Sequence, residues 1–251
     1  MVIPREARRI TYSTDIRNRK RIKLGEHQQA IIVGSILGDA CLHENWSKTN
    51  SRLQIRHAVA QKEYVLWKYE VLKSLVLTEP QHYGRTNSVW FRTISHPELT
   101  TLHKMFYRDG KKIIPKNIES FLSNPLTMAI WFMDDGNAKK VKGKVRGYHL
   151  NTQSFTVAEN VVLQKALDAV WGIKASLETN HGYKRLYLGV KNIPIFNDIV
   201  RPHILPSLAY KISSIGDSSS PVETSLVRKG IVVARLKPTK RHYKTLAPAK
   251  F

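Results

Sequence analysis

Two short stretches of this chain echo each other and limit what it can fold into. The first runs Ala30-Ile31-Ile32-Val33-Gly34-Ser35-Ile36-Leu37-Gly38-Asp39-Ala40; the second runs Leu126-Thr127-Met128-Ala129-Ile130-Trp131-Phe132-Met133-Asp134-Asp135-Gly136. Each is almost wholly apolar until it ends in a carboxylate. Runs of this length predict buried helices and are far too short to span a membrane. A carboxylate is unfavourable at a helix C-terminus, where the dipole is already negative. Two such ends brought together would concentrate negative charge at one point, which a divalent cation would relieve.

The rest of the chain is read as what two such helices need around them. Its 251 residues suffice for a real core. Its 41 Lys and Arg against 19 Asp and Glu give a net charge of +22, which points to a nucleic acid backbone as partner. No basic amphipathic helix suited to a membrane surface stands out. The single cysteine, Cys41, cannot form an intrachain disulfide, and a reducing compartment is expected. The N-terminus is basic but lacks the apolar core of a secretory signal, and Arg5, Arg8 and Arg9, broken by Glu6, match a transit peptide only weakly.

Along the chain, residues 1–25 read as a basic arm carrying Arg17, Arg19, Lys20, Arg21 and Lys23, a solvated face or a set of phosphate contacts. After the first motif comes a polar loop, 43–51, then a strand in which Leu53 and Ile55 alternate with Arg52, Gln54 and Arg56. Arg and Gln are side chains that read base edges, although an ordinary half-exposed sheet shows the same alternation. Residues 62–77 predict an amphipathic helix whose stripe includes Tyr64, Val65, Trp67 and Leu72, read as core. Tyr83 and residues 89–91 suggest a hairpin. A helix over 99–107 and a turn at Asp109-Gly110 lead to Lys111 and Lys112.

The second motif is followed by a basic loop holding Lys139, Lys140, Lys142, Lys144 and Arg146, then by a strand near 148–152. A helix over 157–171 stops at Gly172. Strands over 175–178 and 185–190 flank the turn Asn180-His181-Gly182. In the later strand Leu186, Leu188 and Val190 are expected on one side, with Arg185, Tyr187 and Lys191 on the other. A last helix ends near Val200. The order helix, strand, helix, hairpin, helix thus occurs twice, and an internal repeat governs the fold expected. The Ser-rich stretch from Gly216 reads as a linker to a basic tail. The boundaries expected are an arm over 1–25, halves over 26–115 and 116–215, and a tail over 216–251.

The two motifs resemble those of the LAGLIDADG homing endonucleases, at Ile32 to Ala40 and at Met128 to Gly136. The accompanying segments are similar to those of the omega-intron subgroup of yeast mitochondria. They are Leu150-Asn151-Thr152-Gln153-Ser154-Phe155-Thr156, Lys112 just before Ile114-Pro115, and Tyr210-Lys211 after Pro206. The resemblance spans about 28–211. It implies an α+β fold of two pseudo-symmetric αββαββα halves, packed through the motif helices, with antiparallel DNA-binding sheets. Ala40 departs from the family's last motif glycine. Small residues that let helices touch (Gly34, Ser35, Gly38) cluster in the first motif, while the second offers Ala129 among Ile130 and Trp131.

The resemblance further implies a site-specific endonuclease that leaves a staggered double-strand break with 3′ extensions. Asp39 and Asp135 would be metal-ligating catalytic carboxylates, with Gly38 and Asp134 supplying main-chain carbonyls nearby. Lys112 and Lys211 would be catalytic lysines near the scissile groups. Mg²⁺ suits such an oxygen-only donor set. Arg52, Gln54, Arg56, Arg92, Arg185 and Lys191 are candidates for the DNA surface. Asn151 and Gln153 read equally as water-orienting groups or satisfied strand polars.

Because two unlike halves share one chain, the expected target is a long asymmetric duplex bound by a monomer, whereas a symmetric dimer would want a palindrome. A rival reading is a maturase that binds its intron RNA without cutting DNA; another is a pure DNA-binding module. Both retained aspartates favour cutting, since a mere binder would gain by losing charge that repels phosphate. A zinc-dependent His-Asn-His nuclease is disfavoured by the missing metal-spaced cysteines. Mitochondrion, chloroplast and bacterial cytoplasm all stay open.

Overall fold

The computed structural model describes residues 13–212, all within one compact unit. The repeat is real. The first half runs α2 (Glu26–Leu37), β1 (Cys41–Glu44), β2 (Ser51–Ala58), α3 (Lys62–Leu72), β3 (Gln81–Tyr83), β4 (Ser88–Arg92) and α4 (Pro97–Phe106), after a short α1 (Thr14–Arg19). A small hairpin, β5 (Tyr107–Arg108) and β6 (Lys111–Lys112), and α5 (Ile118–Leu122) lead to the second half. That half runs α6 (Pro125–Asp135), β7 (Gly136–Val141), β8 (Lys144–Leu150), α7 (Val157–Trp171), β9 (Ser176–Asn180), β10 (Tyr183–Gly189) and α8 (Ile193–Val200). Each half is therefore αββαββα. The sheets share one topology, β1-β2-β4-β3 and β7-β8-β10-β9, antiparallel at every pairing.

The motif helices α2 and α6 form the seam between halves. Both are apolar all round and buried all round, as such helices must be: Ala30 to Leu37 in one, Leu126 to Asp134 in the other. The seam is tight but one-sided. Gly34 and Gly38, four residues apart and so on one face of α2, receive Ile130 and Asp134 of α6. A Cβ on Gly34 would lie 2.6 Å from the Ile130 Cβ and 2.7 Å from the Thr127 carbonyl oxygen; one on Gly38 would lie 2.4 Å from the Asp134 Cβ. The small residues of the first motif thus accommodate the bulk of the second.

Local signals explain the element boundaries. Asn124 caps α6 by accepting from the Leu126 N–H, with Pro125 at the first helical position. Thr156 and Glu159 form a capping box for α7, and Gly172, at φ 69°, ends it as the sequence predicts. Inward residues of both sheets (Leu53, Ile55, Phe91, Tyr148, Leu186, Leu188) are buried. Each large apolar side chain so buried contributes about 1.5–3 kcal/mol.

Several expectations need correction. The polar loop expected over 43–51 begins inside β1, whose His43 and Glu44 face outward and hide the strand signal. The basic loop after the second motif is the β7–β8 hairpin, turning at Lys142 and Gly143, both at positive φ. The helix expected over 62–77 closes at Leu72 and tightens into a 3₁₀ turn, Lys73–Leu75. Within the N-terminal arm, α1 buries Ile16, and Arg19 donates to the carbonyl oxygens of Ser74 and Val76. Strand β10 stops at Gly189; Val190 and Lys191 lie in a following 3₁₀ turn, with Val190 exposed, so the alternation expected there fails. The tail beyond residue 212 lies outside the described residues.

Candidate active site

The chain reverses direction at the end of each motif helix, and both carboxylates emerge there. Gly38 closes α2 and places Asp39 just past the helix; Asp135 is the last residue of α6. Burial first, then the charges of Asp39 and Asp134, raise Asp135 to about 7. Asp39 moves the other way: a hydrogen bond from His57 holds it below the usual carboxylate value, against the pull of partial burial. Among the described residues no side chain donates to the Asp135 carboxylate, whereas the Asp39 Oδ2 lies 3.3 Å from the His57 Nδ1.

Lys112 and Lys211 arrive at matching positions. The Asp109-Gly110 turn, at φ 51° and 72°, aims β6 back at the seam, and Tyr107 anchors this hairpin by accepting from the Leu42 N–H at 3.0 Å. The Lys112 Nζ then donates to the Gly38 carbonyl at 2.7 Å. Lys211, in the 3₁₀ turn Pro206–Lys211, donates to the carbonyls of Met133 at 2.5 Å and Asp134 at 3.3 Å. Burial lowers both ammonium pKa values. Each lysine thus covers the carbonyl end of one motif helix, where positive charge is stabilised.

The Asp134 side chain does not share this opening. It crosses the seam into the first half, into the space left by Gly38. There Lys68 donates to its two oxygens at 2.8 and 3.1 Å, the Tyr64 hydroxyl donates at 2.6 Å, and the Asp39 N–H donates at 3.3 Å. Lys68 is fully buried, and burial lowers its pKa while Asp134 pulls it back. The family resemblance implies only a main-chain role for Asp134; its side chain is a strut between halves. Asp39, His57 and Asp134 form a group compact enough to suggest a metal site, but the Lys68 ammonium already neutralises Asp134.

His57, Tyr64 and Lys68 were therefore missed. Tyr64 was read as plain core. The overlooked signal is Lys68 itself, a lysine on the apolar face of α3, one turn after Tyr64 and one turn before Leu72. His57 continues the inward series Leu53, Ile55 along β2.

Of the candidate DNA-contact residues, four meet on one face. Arg52, Gln54 and Arg56 point outward from β2, and Arg92 on β4 pairs directly with Gln54. Burial and neighbouring Arg92 lower the Arg52 pKa. Arg56 lies 5.4 Å from the Tyr83 ring centre. A cleft of about 340 Å³ lined by Asp39, Arg56, His57, Gln61 and Thr86 opens beside this face. In the second sheet Arg185 is held by Glu178 at 3.4 Å and Asn151 at 3.5 Å, and Glu178 also binds Lys139 and His149. Hydrogen bonding from Lys139 leads in holding Glu178 down at about 2. Lys191 stands off the sheet. Asn151, just past β8, donates to the Asn137 side chain.

The repeated αββαββα fold, with two acidic helix ends meeting at its seam, defines a class of protein, and the sequence pattern of that class matches residues 29–196: the chain belongs to the LAGLIDADG DNA endonuclease family. It is 28% identical over 204 residues to the cytochrome b mRNA maturase bI2 of Debaryomyces hansenii, covering 76% of this chain and 75% of that one. It is also 28% identical to the DNA endonuclease I-ChuI of Chlamydomonas applanata, covering 76% and 97%. Among solved structures it is similar to the homing endonuclease I-WcaI bound to its DNA recognition sequence, with a TM-score of 0.74, 25% identity and coverage of 80% and 93%.

Proposed function

We propose that this protein makes a staggered, divalent-metal-dependent double-strand break at one long asymmetric DNA site, acting as a monomer. The observation that carries this reading is that each of the two packed motif helices ends in a carboxylate, Asp39 just past α2 and Asp135 the last residue of α6, with burial and then the charge of Asp39 raising Asp135 to about 7. That surplus of negative charge, offered by oxygens alone, fits a hard divalent cation such as Mg²⁺. Asp39 and Asp135 would hold it, with the carbonyls of Gly38 and Asp134 close by. When bound, such an ion supplies an activated water and neutralises charge on the phosphate under attack.

The chain's own groups account for the rest. Lys112 and Lys211, half-buried and one to each half, would orient the attacking water and stabilise the leaving oxygen. Arg52, Gln54, Arg56 and Arg92 offer one outward face to a duplex, and Arg185 and Lys191 belong to the other half. The halves differ in sequence, so the two halves of the target differ as well.

A plasmid carrying the uninterrupted insertion site, incubated with Mg²⁺, should be linearised; Asp39→Asn or Asp135→Asn should each slow this by about 100-fold or more. Full cleavage by either variant would overturn the assignment. The similarity to a maturase supports a second reading, binding of intron RNA through the same basic chain. A splicing defect on deletion, with no cleavage by the purified protein, would favour it.

A further inference from the structure

We propose that His57 is a positioning residue for cleavage, holding the Asp39 carboxylate in its working orientation through a relay that begins in the other half of the molecule. The inference rests on the reading that Asp39 serves the cutting reaction. The Asp39 side chain is 43% exposed and would otherwise rotate freely. Among the described residues, His57 is the one side chain within hydrogen-bonding distance of that carboxylate, at 3.3 Å. The His57 ring cannot move: it is buried on the inner face of β2 and packs on the Tyr64 ring, with centres 5.1 Å apart.

The tautomer follows from the neighbours. The Lys68 Nζ lies 3.4 Å from the His57 Nε2. An ammonium only donates, so the Lys68 contact assigns the Nε2, which also lies 3.8 Å from the Asp134 Oδ1, as acceptor and leaves the proton on the Nδ1, facing Asp39. Lys68 is fixed in turn by both oxygens of Asp134. The chain of contacts therefore runs from the second motif (Asp134) through Lys68 and His57 back to the first motif (Asp39). Asp134 also accepts from the Asp39 N–H at 3.3 Å, so it secures the backbone and the side chain of the same residue.

The relay is built once. Gly38 stands in the first motif where Asp134 stands in the second, so no equivalent strut reaches back to Asp135. The cleft beside His57 is lined by Asp39, Arg56 and Gln61 as well.

The test compares wild type, His57→Ala and His57→Asn on the duplex that the wild type cuts. Single-turnover rates are measured at saturating protein, DNA affinity is measured without divalent metal, and melting is followed by circular dichroism. An Asn side chain presents an N–H near the former Nδ1. We expect His57→Ala to lose about 10- to 100-fold in rate with DNA affinity within about twofold of wild type, and His57→Asn to recover most of the rate. An unchanged rate in His57→Ala, a loss that tracks affinity or melting, or an Asn variant no better than Ala would each overturn the proposal. A wild-type protein that cuts neither strand would instead overturn the endonuclease reading itself, a distinct result.

Discussion

At the residue scale, Lys68 is a fully buried ammonium. Moving an ammonium out of water costs several kcal/mol, and only good geometry repays it. Lys68 recovers that cost from both Asp134 oxygens and from the Tyr64 ring, 4.1 Å from its Nζ. Lys68→Met would strand a buried carboxylate and should destabilise the fold by about 3–5 kcal/mol, read as a lower urea midpoint. Adding Asp134→Asn should return more than half of that loss. The positions of Asp39 and Asp135 at the ends of the motif helices were legible from the two apolar runs that stop at them, and Lys112 and Lys211 only through the family resemblance. Lys68, His57 and the Asp134 side chain were not, because their meaning comes from pairing: Asp134 is 66 positions from Lys68, and no local pattern reports so distant a partner.

At the element scale, the α2–α6 seam decides the architecture. In an exposed helix, Gly→Ala gains about 1 kcal/mol. At Gly34 the new methyl would meet a backbone oxygen at 2.7 Å, which cannot yield cheaply. Overpacking of this kind costs about 1–3 kcal/mol, so Gly34→Ala should lower the melting temperature, measured by calorimetry, despite its better helix propensity. Both motif helices, α7 and the turn at Asp109-Gly110 could be read from apolar runs and turn residues. Strands β1 and β7 could not. Their residues are Cys41, Leu42, His43 and Glu44 in one, and Lys139 and Lys140 within the other; they are strands because a neighbour pairs with them, not because they alternate.

At the scale of the whole molecule, charge governs the partner. The net +22 requires that DNA binding release counterions, so affinity should fall with log salt at a slope of about −0.9 per phosphate neutralised. Arg52→Ala and Arg56→Ala should each flatten that slope by about one, measured by fluorescence anisotropy over a salt series. Basicity and the repeat were both plain in the sequence; which basic groups are spent internally, as Arg19 and Arg185 are, was not. The one-sided seam has a consequence for how such a chain could ever be divided. Two copies of the first half, placed face to face, would set Gly38 opposite Gly38 and leave each Lys68 an interior cation without a counter-ion. Two copies of the second would press carboxylate against carboxylate with no lysine between them. Each half supplies what the other lacks, the glycine face with Lys68 on one side and the Asp134 strut on the other, so duplicating either one should not rebuild the seam.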